Sequence, residues 1–272
     1  MTLHEFPDLD QGTPEWHDQR RGMVTASAIS QLITVGAPDA LTIPCPECDA
    51  DADHPCISAA RKVPTPIKTI HAMRSAKASA LPPTYTPATG DTARNLTALL
   101  TAERITGYTE PTFQSDDMWR GVMDEPVARD LYTKHYAPVR ESGFMVRDDW
   151  GFQIGYSPDG LVGDDGAIEV KSRRQKKQLL TVLADEVPAE NMAQLQGALL
   201  VTGRQWIDYV SFSGGMALWR KRVTPDQQWF DAIIDAVAAF EKNAEDMVSR
   251  YLTAVDGLPA TERTNIELGM IV

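Results

Sequence analysis

Cysteine is scarce in this sequence, long apolar runs are absent, and basic residues are outnumbered. The only cysteines are Cys45, Cys48 and Cys56, all in one short segment, so a disulfide framework is excluded as what holds 272 residues together. No apolar stretch approaches the ~20 residues needed to span a bilayer. The start, Met1-Thr2-Leu3-His4-Glu5, lacks the basic-then-apolar pattern of a secretory signal. A cytoplasmic protein without a membrane partner is expected. Lysine and arginine number 26 against 38 aspartates and glutamates, a net charge of -12. That balance excludes an evenly basic surface for coating nucleic acid, because duplex binding draws on cations to displace counterions from phosphates. The cations are concentrated instead. Lys171, Arg173, Arg174, Lys176 and Lys177 form one dense run, and Arg20-Arg21 add to it, which leaves room for a positive cleft inside an acidic shell. With 43% hydrophobic and 24% charged residues, the chain suits a globular core with or without a small module.

The most informative residues are Ser157-Pro158-Asp159-Gly160, followed by Glu169-Val170-Lys171. Segments 154–156 and 167–170 read as two strands around the turn Gly163-Asp164-Asp165-Gly166, an arrangement that brings Asp159 and Glu169 together on one hairpin. Two adjacent carboxylates attract a hard cation such as magnesium, or manganese, which can activate water and polarise a phosphodiester. Lys171 lies two residues past Glu169 and so on the same strand face. Its ammonium could orient the attacking water or stabilise the pentavalent phosphorus.

This arrangement resembles the PD-(D/E)XK nucleases, and three further segments resemble the lambda exonuclease, or YqaJ-type viral recombinase, family. Gly12-Thr13-Pro14-Glu15-Trp16-His17 leads into Arg20-Arg21-Gly22 and Thr25-Ala26-Ser27, similar to the family's opening segment. The resemblance implies that Arg20 and Ser27 hold the 5′-phosphate of a DNA end. Trp119-Arg120-Gly121 with Glu125-Pro126 resembles the helix that brings a third acidic residue toward the metals, and this implies a metal role for Glu125. Met192-Ala193-Gln194-Leu195-Gln196-Gly197 resembles the glutamine motif, with Gln194 on the family position. The implied activity is magnesium-dependent degradation of one strand of linear double-stranded DNA, 5′ to 3′, exposing single strand for phage-type recombination. The implied partners are DNA ends, a single-strand annealing protein and further copies of the chain in a trimeric ring; a phage-encoded chain would work in the host cytoplasm. A structure-specific endonuclease and a non-catalytic DNA-end scaffold are the alternatives.

An insertion at 36–90 interrupts the resemblance and holds Cys45-Pro46-Glu47-Cys48 and Cys56. Three thiolates and one imidazole make a closed tetrahedral zinc site, and the two-residue spacing of the first pair is that of a knuckle. Either His71 or His54 can be the fourth ligand. His71 is preferred because the segment resembles small Cys-Cys-Cys-His ribbons ending in His-Ala-x-Arg, here His71-Ala72-Met73-Arg74. Arg61, Lys62, Lys68, Arg74 and Lys77 suggest a basic module, and Pro82, Pro83 and Pro87 an extended linker after it.

The periodicities predict helices over 15–21 and 27–33, the second capped by Ser27, then a helix from Asp91 to Gly107. Ser115 opens another, with an apolar stripe of Met118, Trp119, Val122, Val127, Leu131 and Tyr132. Strands are expected at 139–146, 152–156, 167–171, 206–212 and 217–223, a helix at 189–201, and a last helix opened by Thr224-Pro225-Asp226. The fold class is α/β, a PD-(D/E)XK restriction-endonuclease-like core whose central mixed sheet is flanked by helices. Expected boundaries are 1–35 and 91–258 for the nuclease core, 36–90 for the zinc module and 259–272 for a tail in which Ile266, Leu268, Met270 and Ile271 could pack.

Overall fold

The computed structural model describes residues 2–58, 63–111 and 115–263. Arg61, Lys62 and the apolar residues of the tail lie outside these described residues. The chain opens with β1 (Leu3–Phe6), α1 (Pro14–Arg20), β2 (Val24–Thr25), a 3-10 turn (Ala26–Gln31) and β3 (Ile33–Gly36). In the inserted region follow β4 (Ile57–Ser58), β5 (Thr65–Pro66), α2 (Ala72–Ser79) and β6 (Thr84–Pro87). The remainder runs α3 (Asp91–Thr106), α4 (Asp116–His135), β7 (Phe144–Arg147), β8 (Ile154–Tyr156), β9 (Gly160–Val162), β10 (Gly166–Ser172), α5 (Gln175–Ala184), α6 (Ala189–Thr202), β11 (Trp206–Phe212), β12 (Trp219–Val223) and α7 (Gln227–Ala254).

The expected mixed sheet is built as two four-stranded sheets. One has the order β1-β7-β8-β2 and the other β12-β11-β10-β9. In the second, β10 and β11 run parallel in full register from Gly166 opposite Trp206 to Ser172 opposite Phe212, joined by α5 and α6. A parallel pair needs such a crossover, and its strands, covered on both faces, read as continuous apolar runs. Ala167, Ile168 and Val170 of β10 and Ile207, Tyr209 and Val210 of β11 are buried accordingly. Helix α6 packs its long buried face on the 3-10 turn and on β8, with Leu195, Leu199 and Val201 in the main core. It ends at Gly203, whose φ of 69° is the left-handed conformation that closes a helix without cost only for glycine.

The hairpin differs from the sequence expectation. The antiparallel partner of β10 is β9, pairing Gly166 with Val162, whereas β8 belongs to the other sheet between β7 and β2. Asp159 therefore sits in the link between the two sheets, not on a hairpin strand. Segment 27–33 also departs from expectation: it is a tight 3-10 turn followed by β3, and no side chain caps it, so Ser27 is free for other contacts. For α7 the cap is Asp226, whose carboxylate accepts from the Gln228 amide at 2.9 Å, not Thr224. Helix α5 was unexpected, having no capping side chain and leaving Leu179, Leu180 and Leu183 exposed.

The stripe expected on α4 divides. Ala128 and Tyr132 are buried against β10 and β11, while Met118, Trp119, Val122 and Val127 are exposed. The exposed part arises because the first half of α4 turns Asp117, Gly121 and Glu125 toward a cavity rather than packing flat on the sheet. The Pro-rich segment expected as an extended linker is instead α2 and then β6, which pairs antiparallel with β3 and stacks Tyr85 on Trp229 of α7 at 4.3 Å. Pro87 is tolerated because it sits at the end of that two-stranded ribbon, opposite Ile33. Among the described residues no helix is long and apolar enough to cross a membrane.

Candidate active site and metal centre

A cavity of about 320 Å³ opens where the two sheets meet. The end of β8 contributes Tyr156, the link after it Ser157 and Asp159, β10 contributes Glu169, Lys171 and Ser172, α6 contributes Gln194, and α4 contributes Asp117, Gly121 and Glu125. The remaining wall comes from the N-terminal segment through Trp16, Arg20, Thr25 and Ser27. The structure thus brings Asp159, Glu169, Lys171, Glu125, Gln194, Arg20 and Ser27 to one cavity. Gln196, on the opposite side of α6, is buried and instead fixes the start of α7, accepting from the Asp226 amide and donating to the Thr224 carbonyl.

Glu169 is the hub. It is 2% exposed, and its Oε1 accepts from Lys171 Nζ at 2.6 Å and from the Gln194 amide. Its Oε2 accepts from the Tyr156 hydroxyl at 3.0 Å. Oε1 is saturated by two protein donors, so the free lone pair of the carboxylate belongs to Oε2. Asp159 accepts from the Val170 amide at 2.6 Å through Oδ2, which ties the link to the centre of β10. Glu125 accepts from Arg129 at 2.9 Å, and Arg129 also pairs with Glu141. Burial, then the charges of Glu169 and Glu125, push the Asp159 carboxyl well above the usual carboxylate range. Burial raises Glu125 too, against the opposing pull of Arg129. For Lys171, burial alone would lower the pKa, but Glu169 and Asp159 hold it above the ordinary value, so it is a hydrogen-bond donor at neutral pH. Three mutually repelling carboxylates around one ammonium form an oxygen-donor set short of positive charge, which fits a hard divalent cation.

At the other wall, Trp16 donates from Nε1 to Ser157 Oγ at 2.9 Å, and its ring lies 4.0 Å beneath the Arg20 guanidinium. Arg20 donates to Thr25 Oγ1 at 3.3 Å, and Thr25 in turn contacts Ser27 Oγ at 3.2 Å. A guanidinium and two hydroxyls in one corner are suited to a phosphate monoester. Behind them, Glu103 accepts from the Gly22 amide at 2.7 Å and Arg104 donates to the Gly22 carbonyl at 2.7 Å, clamping the turn that follows Arg20. Sequence reasoning assigned no role to Tyr156, Trp16 or Arg129. The only signal available for Tyr156 was its place three residues before Asp159 at the end of an apolar strand.

In the inserted region, the ligand atoms of Cys45, Cys48, Cys56 and His71 all lie within 4.8 Å of one another. His71 faces Cys45 Sγ through Nδ1 at 3.5 Å, leaving Nε2 toward Glu47. His54 turns away, its Nδ1 against the Ala52 carbonyl at 2.9 Å. The knuckle closes through the Cys45 amide to Ala50 O at 2.8 Å and the Asp49 amide to Cys45 O at 3.0 Å. Backbone amides of Ile57 and His71 donate to the sulfurs of Cys48 and Cys56. Four ligands of this type, with Cys45 and Cys56 buried and Cys48 and His71 half-buried, fit a zinc ion.

Arg74, read from sequence as part of a basic surface, is fully buried. Its guanidinium donates to the carbonyls of Ile43 (2.8 Å), His54 (2.8 Å), Leu41 (2.9 Å) and Asp51 (3.0 Å) and reaches Cys56 Sγ at 3.6 Å. It is the internal staple of the module. Three thiolates with one zinc carry one net negative charge, which a buried arginine balances. The sequence also places Asp39, Glu47, Asp49, Asp51 and Asp53 in this module, so its surface is not predominantly basic.

Residues 88–205 match the YqaJ-like viral recombinase domain. That segment is similar to the YqaJ-like viral recombinase domain. Glu125, Asp159, Glu169, Lys171 and Gln194 all fall within that matched segment. Residues 11–91 match a putative DNA-binding phage zinc finger domain, which takes in the whole cysteine and histidine cluster together with Arg20 and Ser27. Among solved structures, the chain is similar to an alkaline exonuclease from Laribacter hongkongensis, with a TM-score of 0.66 and 24% identity over 91% of this chain and 100% of that one. The same exonuclease in complex with dAMP matches with a TM-score of 0.65 and 24% identity, again over 91% and 100%. This likeness shows that the chain shares the fold of that exonuclease, a mixed α/β core. No curated protein sequence matches the chain.

Proposed function

We propose that the chain is a metal-dependent exonuclease that hydrolyses one strand of linear double-stranded DNA from its 5′ end, leaving the other strand for annealing. The observation that carries this reading is the single cavity in which Asp159, Glu169 and Lys171 face a corner formed by Arg20, Thr25 and Ser27. A scissile phosphodiester and a terminal phosphate can then be held at once. Asp159 and Glu169 would hold magnesium or manganese, with Glu125 at a second ion, and the metal would supply charge neutralisation at the phosphate and at the attacking water. Lys171, kept protonated by its carboxylate neighbours, would orient that water and donate to the phosphoryl oxygens on which charge develops. Gln194 and Tyr156 fix the plane of the Glu169 carboxylate, whose Oε2 would be available to a cation. Trp16 holds Arg20 from below, and Arg20 with Ser27 anchors the 5′-phosphate.

The anchoring corner gives a direct test. Linear duplex with a 5′-phosphate should be digested at least tenfold faster than the same duplex with a 5′-hydroxyl, since a charge-assisted contact to phosphate contributes about 1.5–3 kcal/mol. Arg20→Ala should remove the difference while leaving the slow rate on the hydroxyl end. Initial rates on the two substrates decide it: equal rates for the wild type would reject a terminal-phosphate site and favour a structure-specific endonuclease.

A further inference from the structure

The basic run after Lys171 is divided by the fold, and the division creates a second site. Lys171 enters the active cavity, while Arg173 turns inward to the Tyr209 hydroxyl and Asn191. Arg174 donates from Nε and Nη2 to Asp117 Oδ1 at 2.9 and 2.8 Å, and Arg120 donates to the same oxygen at 2.6 Å. Among the described residues Lys176 has no ion-pair partner. Arg120, Arg173, Arg174 and Lys176 line a separate open trough of about 600 Å³, bounded also by Asp124 and Ser213. Four cations against one carboxylate there stand out in a chain of net charge -12.

The trough adjoins the active cavity across the wall formed by α4 and the end of β10. Asp117, Gly121 and Ser172 face the cavity, whereas Arg120, Asp124 and Arg173 face the trough. Arg120 crosses between them, donating from Nε to Ser172 Oγ at 2.9 Å, and Ser172 donates to Asp124 at 2.6 Å. The phosphate corner of Arg20, Thr25 and Ser27 shares the active cavity with the carboxylates and Lys171 and contributes nothing to the trough. We propose that this trough binds the phosphodiester backbone of the uncleaved continuation of the strand, beyond the scissile bond on its 3′ side. The assignment rests on the exonuclease reading, because that reading places the 5′ terminus at Arg20. Asp117 holds the two guanidiniums side by side in a fixed spacing, and Lys176 adds a mobile charge, a combination that follows a backbone without reading bases.

The test is equilibrium binding of a short 5′-phosphorylated linear duplex without added divalent metal, followed by fluorescence anisotropy across a salt series. The wild type should bind with a steep salt dependence. Arg174→Ala/Lys176→Ala should flatten the log-log slope by about 2 and weaken binding roughly tenfold or more, as expected for two lost phosphate contacts. Arg174→Lys/Lys176→Arg should keep the wild-type slope. A double alanine variant with the wild-type slope, or a charge-preserving variant as weak as the alanine one, would overturn the trough while leaving the exonuclease reading in place. A wild-type chain that binds linear duplex with no salt dependence would overturn both.

Discussion

Asp159→Asn, Glu169→Gln and Lys171→Ala are each expected to reduce magnesium-dependent digestion of linear duplex roughly a thousandfold, the scale found when one preorganised group at a developing charge is removed. The reason differs at each position. In the proposed reaction Asp159 and Glu169 would supply the oxygens that hold the cation, and Glu169 also organises Lys171, Gln194 and Tyr156 around itself. Lys171 would supply the donor. For Asp159→Asn the side chain keeps an acceptor for the Val170 amide and removes one charge from a cluster in which Glu169 and Glu125 already repel Asp159. Its thermal midpoint without metal should therefore be no lower than that of the wild type, and added magnesium should stabilise the wild type but not the variant. Rates, melting curves and calorimetric magnesium titrations check these statements together. A Lys171→Ala enzyme at near wild-type rate would remove the ammonium from the chemistry.

The second large effect is expected in the zinc module. The protein purified without added metal should carry one zinc per chain by elemental analysis, and Arg74→Ala should lose most of it. Removal of the guanidinium strips four buried carbonyls of their donor, and leaving such groups unsatisfied costs about 1–3 kcal/mol each at most, before any cavity is counted. A module of this size has little apolar core to offset that loss; its own cluster is essentially Cys45, Ala50 and Cys56 with Ile57, Ile67 and Ile70 around them. Arg74→Lys should fail as well, because one ammonium cannot span the positions that the planar fork reaches. Amide exchange should rise across α2 and the knuckle while β10 and β11 stay protected. Full zinc content and unchanged exchange in Arg74→Ala would refute the staple. His54→Ala, by contrast, should keep its zinc, since the His54 ring faces the Ala52 carbonyl.

What the sequence made legible was chemistry confined to short stretches. Glu169 and Lys171 share a strand face by alternation alone, and three cysteines with a histidine announce a tetrahedral site by their donor types. Contacts made by distant packing were hidden. The strand carrying Tyr156 looked like the partner of β10 because a glycine-rich turn lay between them, but the short β9 takes that place and β8 pairs with β7 and β2. Arg74 reads as surface charge in sequence because nothing local shows that four carbonyls from 41–54 will converge on it. Helix α5 carries its cations without a capping side chain and exposes three leucines, so neither propensity nor periodicity marked it. Met118, Trp119 and Val122 have the spacing of a core stripe, yet α4 gives that side to solvent because its cavity-facing residues are Asp117, Gly121 and Glu125.

The central claim is that this cavity consumes DNA from an end, and one digestion tests it most directly. The same duplex is supplied as 5′-phosphorylated linear molecules and as covalently closed circles, with magnesium present, and acid-soluble nucleotides and the surviving strand are followed in time. Steady release of mononucleotides from the linear form, leaving the complementary strand intact and the circles untouched, is the predicted result. Cutting of the closed circles at a rate comparable to the linear form, or no magnesium-dependent release from either, would contradict it.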